Sequence, residues 1–172
     1  GMAFCTEDRK KTGLVLCLPI VDNLSMLNAK HNTNKLDFLN FKELRRLAQG
    51  QRESLNIRIS NINQPVKTLS GGNQQKVALG KWLDAKPQII LFDEPTRGID
   101  IGAKKLVLEL LAKMNREEGM TIIMVSSELN ELRSLCDRIA IVSDGKLSGI
   151  FAPDASDAEY GMAMSGVKKG GN

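Results

Sequence analysis

A chain of 172 residues with 42% hydrophobic and 26% charged side chains can bury one core and has the composition of an ordinary globular domain. Its net charge of +4 arises from 24 basic and 20 acidic residues without a block of like charge, and only 4% are aromatic, which argues against nucleic acid as a partner. Cys5, Cys17 and Cys136 are odd in number and widely spaced, and the single histidine, His31, reads as a solvated surface residue, so neither a zinc site nor a disulfide framework is expected.

No apolar run approaches the ~20 residues that cross a bilayer. Gly1-Met2 reads as the remnant of a cleaved tag before an introduced start, so a longer natural chain is expected. Residues 13–18 predict a short buried strand ended by Pro19, and Asp22-Asn23-Leu24-Ser25 predicts a helix start. Asn40 with Glu43 three positions on predicts a capped helix, with Phe41, Leu44, Leu47, Ala48 and Leu55 as its apolar stripe. Ser70 is placed to cap a helix over 71–85, whose inner side would carry Val77, Ala78, Trp82 and Leu83; Pro87 forbids its continuation.

Residues 89–92 form an apolar run of strand length, the pattern of a parallel strand covered on both faces. Asp100 begins a helix in which Ala103, Leu106, Val107, Leu110, Leu111 and Met114 recur at helical spacing, and Gly119 is placed to end it. A second apolar strand over 121–125, a helix capped by Ser126 and a third strand over 138–142 complete an alternation that predicts an α/β fold with a mainly parallel sheet and flanking helices. Asp144-Gly145 predicts a closing β-hairpin, and a short helix is expected over 158–164.

Chemistry concentrates in two segments. A buried strand ending in Asp93-Glu94 sets two carboxylates at the carboxyl edge of a parallel sheet, where such folds bind ligands; this is the setting of a Walker B element, with an aspartate for magnesium and a neighbouring acid for the attacking water. In Leu69-Ser70-Gly71-Gly72, two glycines at a helix start admit an anion to the backbone amides, and the helix dipole favours its charge. A serine-capped glycine loop alone carries little information. Its company does: Asn73-Gln74-Gln75 directly follows, then a helix, the apolar strand, Asp93-Glu94-Pro95-Thr96 and Gly98-Ile99-Asp100.

With these pieces the sequence resembles the ABC ATPases, a branch of the P-loop NTPases, and within them the two-domain ATP-binding subunits of ribose- and galactose-type sugar importers. Glu7-Asp8-Arg9-Lys10 and Val125-Ser126-Ser127-Glu128 resemble the second of that family's tandem nucleotide-binding domains. The resemblance implies a partial domain, with residues 20–66 as its helical subdomain, 67–151 carrying the signature helix, Walker B and switch region, and 152–172 as a tail with a disordered end. It implies Asp93 for Mg2+, Glu94 as catalytic carboxylate, and Ser70, Gly71, Gly72 and Gln74 reaching ATP held by an opposing nucleotide-binding domain. Gly98 and Asp100 would belong to the loop touching that domain, and Glu7 would stand near the position of a glutamine that contacts magnesium. The implied partners are transmembrane permease subunits and, indirectly, a periplasmic sugar-binding protein, with the ATPase in the cytoplasm on the inner face of the membrane.

Two departures bear on activity. Ser127 stands where most members have a switch histidine, and a hydroxyl cannot relay charge as imidazole does. No Gly-x-x-x-x-Gly-Lys-Ser/Thr occurs, so the triphosphate cradle is not in this chain, which is expected not to hydrolyse ATP alone. The expected consequence is an unpaired edge beside the Walker B strand and self-association. A DNA-repair or chromosome-organising ATPase is the rival from another class, disfavoured by the lack of sustained heptads; a non-enzymatic regulatory piece is a second.

Overall fold

The computed structural model describes residues 1–33, 38–83, 85 and 87–166, without the side chains of Lys30 and His31; the expectations for His31 and for the C-terminal end lie outside it. The chain forms two compact units, Gly1–Val125 and Ser126–Asn172.

The first unit is built on a three-stranded sheet of β1 (Met2–Cys5), β2 (Ile89–Asp93) and β3 (Thr121–Val125), in that order. All pairings are parallel, with Cys5 opposite Phe92 and Asp93 opposite Val125. The Walker B strand β2 is therefore central and paired on both sides, so the unpaired edge expected beside it does not exist; β1 and β3 are the edges. Ile90 and Phe92, on one face of β2, are 0% and 1% exposed, whereas Ile89, Leu91 and Asp93 on the other are half-buried, so one face is fully covered and the expected cover of both is only partial.

The strand expected over 13–18 is also not formed. A turn of π-helix spans Arg9–Gly13, and the segment after it bonds to side chains and to residues 66 and 67 rather than to a sheet. Asn23, fully buried, accepts from the Val15 N–H and donates to the carbonyls of Val15 and Pro19, doing for this segment what a neighbouring strand would do. The strand on that side of β2 is instead β1, which begins at Met2 of the expected tag remnant and continues through residues 3–5, for which the sequence predicts no element.

Helix α1 (Ile20–Ser25) starts directly after Pro19, two positions before the expected Asp22. A 3-10 stretch, Met26–Asn32, follows, and α2 (Phe41–Ser54) is capped as expected, with Asn40 Oδ1 accepting from the Glu43 N–H. Phe41 heads the predicted stripe but is 73% exposed, whereas Leu44, Ala48 and Leu55 are buried. These helices pack on α3 (Gly71–Leu83) through Leu14, Ile20, Leu24, Ala48, Leu55, Val66, Val77 and Ala78. Gly80 lies at the crossing: a Cβ there would stand 2.7 Å from Leu24 and 2.8 Å from Leu55.

Trp82 and Leu83 are only half-buried, and Lys76 and Lys81 take the interior instead. Each satisfies its ammonium on a carbonyl, of Asn56 at 2.9 Å and of Gly13 at 3.1 Å. Helix α4 (Ile101–Arg116) is capped by Asp100, whose Oδ1 accepts from the Ala103 N–H, and buries Val107, Leu111 and Met114.

The second unit contains α5 (Leu129–Leu135), β4 (Ile139–Ser143), β5 (Lys146–Phe151) and α6 (Asp157–Met164). Strand β4 is no third member of the parallel sheet; it pairs with β5, antiparallel, in a sheet of two strands. The Asp144-Gly145 turn is as expected, with φ of 48° and 71°, the signs a type I′ hairpin demands. Ile139, Ile141, Tyr160 and Ala163 form the core, and Ser156 with Glu159 makes a capping box at α6.

Candidate functional site

Strand β2 delivers Asp93 to the carboxyl edge of the sheet, and the next residue turns sharply. Glu94 has φ of 47°, in the left-handed region that non-glycine residues rarely occupy, and its N–H still bonds to the Val125 carbonyl at 3.0 Å. Its own carbonyl accepts from the Arg97 N–H at 3.1 Å, closing a turn in which Pro95 and Thr96 are buried. The two carboxylates are thus held at the end of a central strand by backbone geometry. Gly98, at φ 68°, lets the chain reverse into the Asp100 cap of α4.

The signature loop stands beside this turn. A Cβ on Gly71 would meet Arg9 Nη2 at 3.0 Å and the Gly98 carbonyl at 3.2 Å; one on Gly72 would meet the Ala103 Cβ at 2.7 Å. Gly72 is therefore demanded by packing within the unit, independently of any anion, whereas a side chain on Gly71 would need the Arg9 guanidinium and the Gly98 carbonyl to give by a few tenths of an ångström. Ser70 is exposed, and its Oγ accepts from Asn73 Nδ2 at 3.3 Å. Asn73 also takes both main-chain groups of Arg58, tying the loop to the segment after α2.

Gln74 departs from its expected place. It is 6% exposed, and its Nε2 donates to the carbonyls of Leu69 and Val66, so the side chain holds the loop from behind instead of presenting itself outward.

Glu7 is not turned to a cation site. Its carboxylate forms an ion pair with Arg97, and Arg9, two residues on, donates to the carbonyls of Arg97 and Gly98 at 3.0 and 3.3 Å. Partial burial lowers the Arg9 pKa against the opposing influence of Asp8. Reasoning from the sequence gave Arg9 no role, since no local pattern places residue 9 beside residues 97 and 98. At the buried side of the sheet, burial pushes the Cys5 thiol up to about 12, with Lys81 acting against that shift and Asp93 with it.

Among the described residues no group of three or more His, Cys, Asp or Glu is placed to hold a metal. Asp93 offers one hard oxygen ligand, which suits Mg2+ when nucleotide and water supply the rest. In the second unit Ser127 is exposed. Ser126 does not cap α5 as expected: Glu128 occupies that position, while Ser126 Oγ accepts from the Glu128 N–H and donates to Glu131.

A central parallel strand ending in Asp-Glu, flanked by a glycine loop opening a helix, is the arrangement of an ABC ATPase, and a family model for ABC transporters matches residues 20–97. An ATP-binding cassette in a dimeric, post-hydrolysis state bound to ADP and Pi matches with TM-score 0.74 and 26% identity over 90% of this chain and 64% of its own. A putative metal-chelate type ABC transporter in an inward-facing conformation matches in fold, with TM-score 0.79 at 18% identity over 95% of this chain and 63% of its own. The chain thus has the ABC ATPase fold and is similar in sequence to the ABC transporter family. It is 42% identical over 95% of its length to the ribose import ATP-binding protein of Bacillus cereus, covering 33% of that protein. It is 46% identical over 96% to one of Rhizobium meliloti, of which it covers 32%, and so spans about a third of the length of these relatives.

Proposed function

We propose that this chain is part of the ATP-binding subunit of a sugar importer, and that it supplies Ser70, Gly71 and Gly72, with Gly98 and Asp100, to ATP held by an opposing nucleotide-binding domain. The observation that carries this is the side-by-side placement of the signature loop and the loop after β2, with the Gly98 carbonyl 3.2 Å from where a Gly71 Cβ would stand. The ribose import relatives, matched over nearly the whole chain, support sugar uptake as the purpose and permease subunits and a periplasmic sugar-binding protein as partners. No helix among the described residues is long and apolar enough to cross a membrane, which fits attachment to the cytoplasmic face through those permeases.

We also infer duties at the domain's own site. When bound, Mg2+ and ATP supply charge neutralisation and the transferable phosphoryl group. Asp93 would hold the metal, and Glu94, fixed by its left-handed backbone, would take the proton of the attacking water. Glu7 contributes nothing there while Arg97 neutralises it. By its resemblance to the family the chain has Ser127 at the switch position, where a hydroxyl does not relay charge as imidazole does, so we propose weak turnover at the domain's own site, with the signature loop as the chain's main contribution.

The test is Ser70→Ala combined with Gly71→Asp in the intact subunit assembled with its permease. Steady-state ATPase should fall by about a hundredfold, as when a positioned donor to a phosphoryl group is lost. Near-normal turnover would sink the proposal.

A further inference from the structure

Three segments far apart in sequence converge on one guanidinium. Arg9 Nη1 donates to the Arg97 carbonyl and Nη2 to the Gly98 carbonyl, and Nη2 occupies the space that any side chain on Gly71 would need. Arg97 returns the contact by pairing its side chain with Glu7. The result is a reciprocal clasp in which each segment gives an arginine to the other, one to main-chain carbonyls and one to a carboxylate.

The two halves differ in strength. The Glu7–Arg97 pair is exposed, at 43% and 66% of the side chains, and such pairs contribute little to stability. The Arg9 contact is the specific one, because a planar fork reaches two adjacent carbonyls at once and a lysine reaches one. Arg9 Nε is buried without a hydrogen-bond partner, so the side chain is held in place by its two terminal nitrogens alone.

We infer that Arg9 is a positioning residue that locks the loop of residues 97–100 against the signature loop, so that both are presented to ATP of the opposing domain as one preformed surface. This rests on the proposal that those loops meet that ATP. Without Arg9 the loops remain in the chain but sample other arrangements, and only the fraction in the competent one binds productively. A reduced competent fraction raises the apparent dissociation constant in inverse proportion and is overcome by saturating ligand.

Arg9→Ala and Arg9→Lys are the variants, read in two ways. In this chain, hydrogen exchange of the amides of Gly98, Ile99 and Asp100 should speed by about tenfold in Arg9→Ala, and less in Arg9→Lys, while Ile90 and Phe92 in β2 keep their protection. In the intact subunit, KM for ATP should rise by about tenfold with kcat within about twofold of wild type. A merely structural role would lower kcat with the amount of folded enzyme and leave KM alone. Unchanged exchange at residues 98–100 overturns the clasp, as does a fall in kcat at constant KM. If Arg9→Ala also loses protection in β2, Arg9→Lys alone decides. Exchange that responds while the Ser70 and Gly71 variant keeps normal ATPase would show the clasp to be real and the proposed role of the loops to be wrong.

Discussion

Asn23 takes both main-chain groups of Val15, accepting from its N–H at 2.8 Å and donating to its carbonyl at 3.0 Å. A side-chain amide presents the same donor and acceptor as a peptide unit, so one buried asparagine replaces a strand partner. Asn23→Leu preserves volume and strands the Val15 groups. We expect a loss of about 3 kcal/mol in urea unfolding, the cost of several buried polar groups left unpaired. A loss below about 1 kcal/mol would mean that water takes over the bonds.

Gly72 and Ala103 form a second exacting contact, where α3 begins beside α4. An added Cβ would stand 2.7 Å from that of Ala103, and because both belong to helix backbones neither side chain can swing away. Gly72→Ala should destabilise the chain by about 2 kcal/mol, and Ala103→Gly in the same molecule should restore part of it. Additive losses in the double variant would contradict the contact.

Alkaline pH offers a test of the sheet's buried side. Cys5 has a folded pKa of about 12 against an ordinary value of 9.0. The stability this group contributes is fully present below pH 9.0 and is lost as pH rises toward 12, at about 1.4 kcal/mol per pH unit. Lys81 acts oppositely: burial lowers its pKa from 10.5, so its cost is present at lower pH and is relieved as pH approaches 10.5. Thermal unfolding of wild type and Cys5→Ala at pH 8 to 10.5 should therefore give diverging curves, with wild type falling more steeply. Parallel curves would show that Cys5 ionises freely in the folded state.

Strand β3 is an edge of its sheet and carries Ile123 and Val125, 49% and 55% exposed. An apolar edge of this kind pairs with other chains unless charge or cover prevents it. We expect this chain, on its own, to associate at high micromolar concentration in sedimentation velocity. Ile123→Lys should shift it toward monomer, whereas a monomeric wild type would contradict the expectation.

What was legible in the sequence was local. The Asp100 and Asn40 caps, the Asp144-Gly145 turn and the apolar run of β2 are each specified by residues within a few positions of one another. Membership of a sheet is not local. Residues 13–18 and 138–142 have the composition of central strands, yet the first is held by Asn23 and the second pairs only with its hairpin partner. The carboxylate pair and the glycine loop could be read as a site because the motif is contiguous. That Glu7 is neutralised by Arg97, and that Gln74 faces inward, depended on contacts between distant segments.

Helix α3 carries Ser70, Gly71 and Gly72 at its start, while Lys76 and Lys81 along it hold the carbonyls of Asn56 and Gly13. With Gly80 seated between Leu24 and Leu55, the helix is bolted to the layer formed by α1 and α2. The signature loop is thus the tip of a lever whose handle is that layer. A force that tilts α1 and α2 therefore reaches Ser70 through α3, against the close packing of Gly71 on Gly98 and of Gly72 on Ala103.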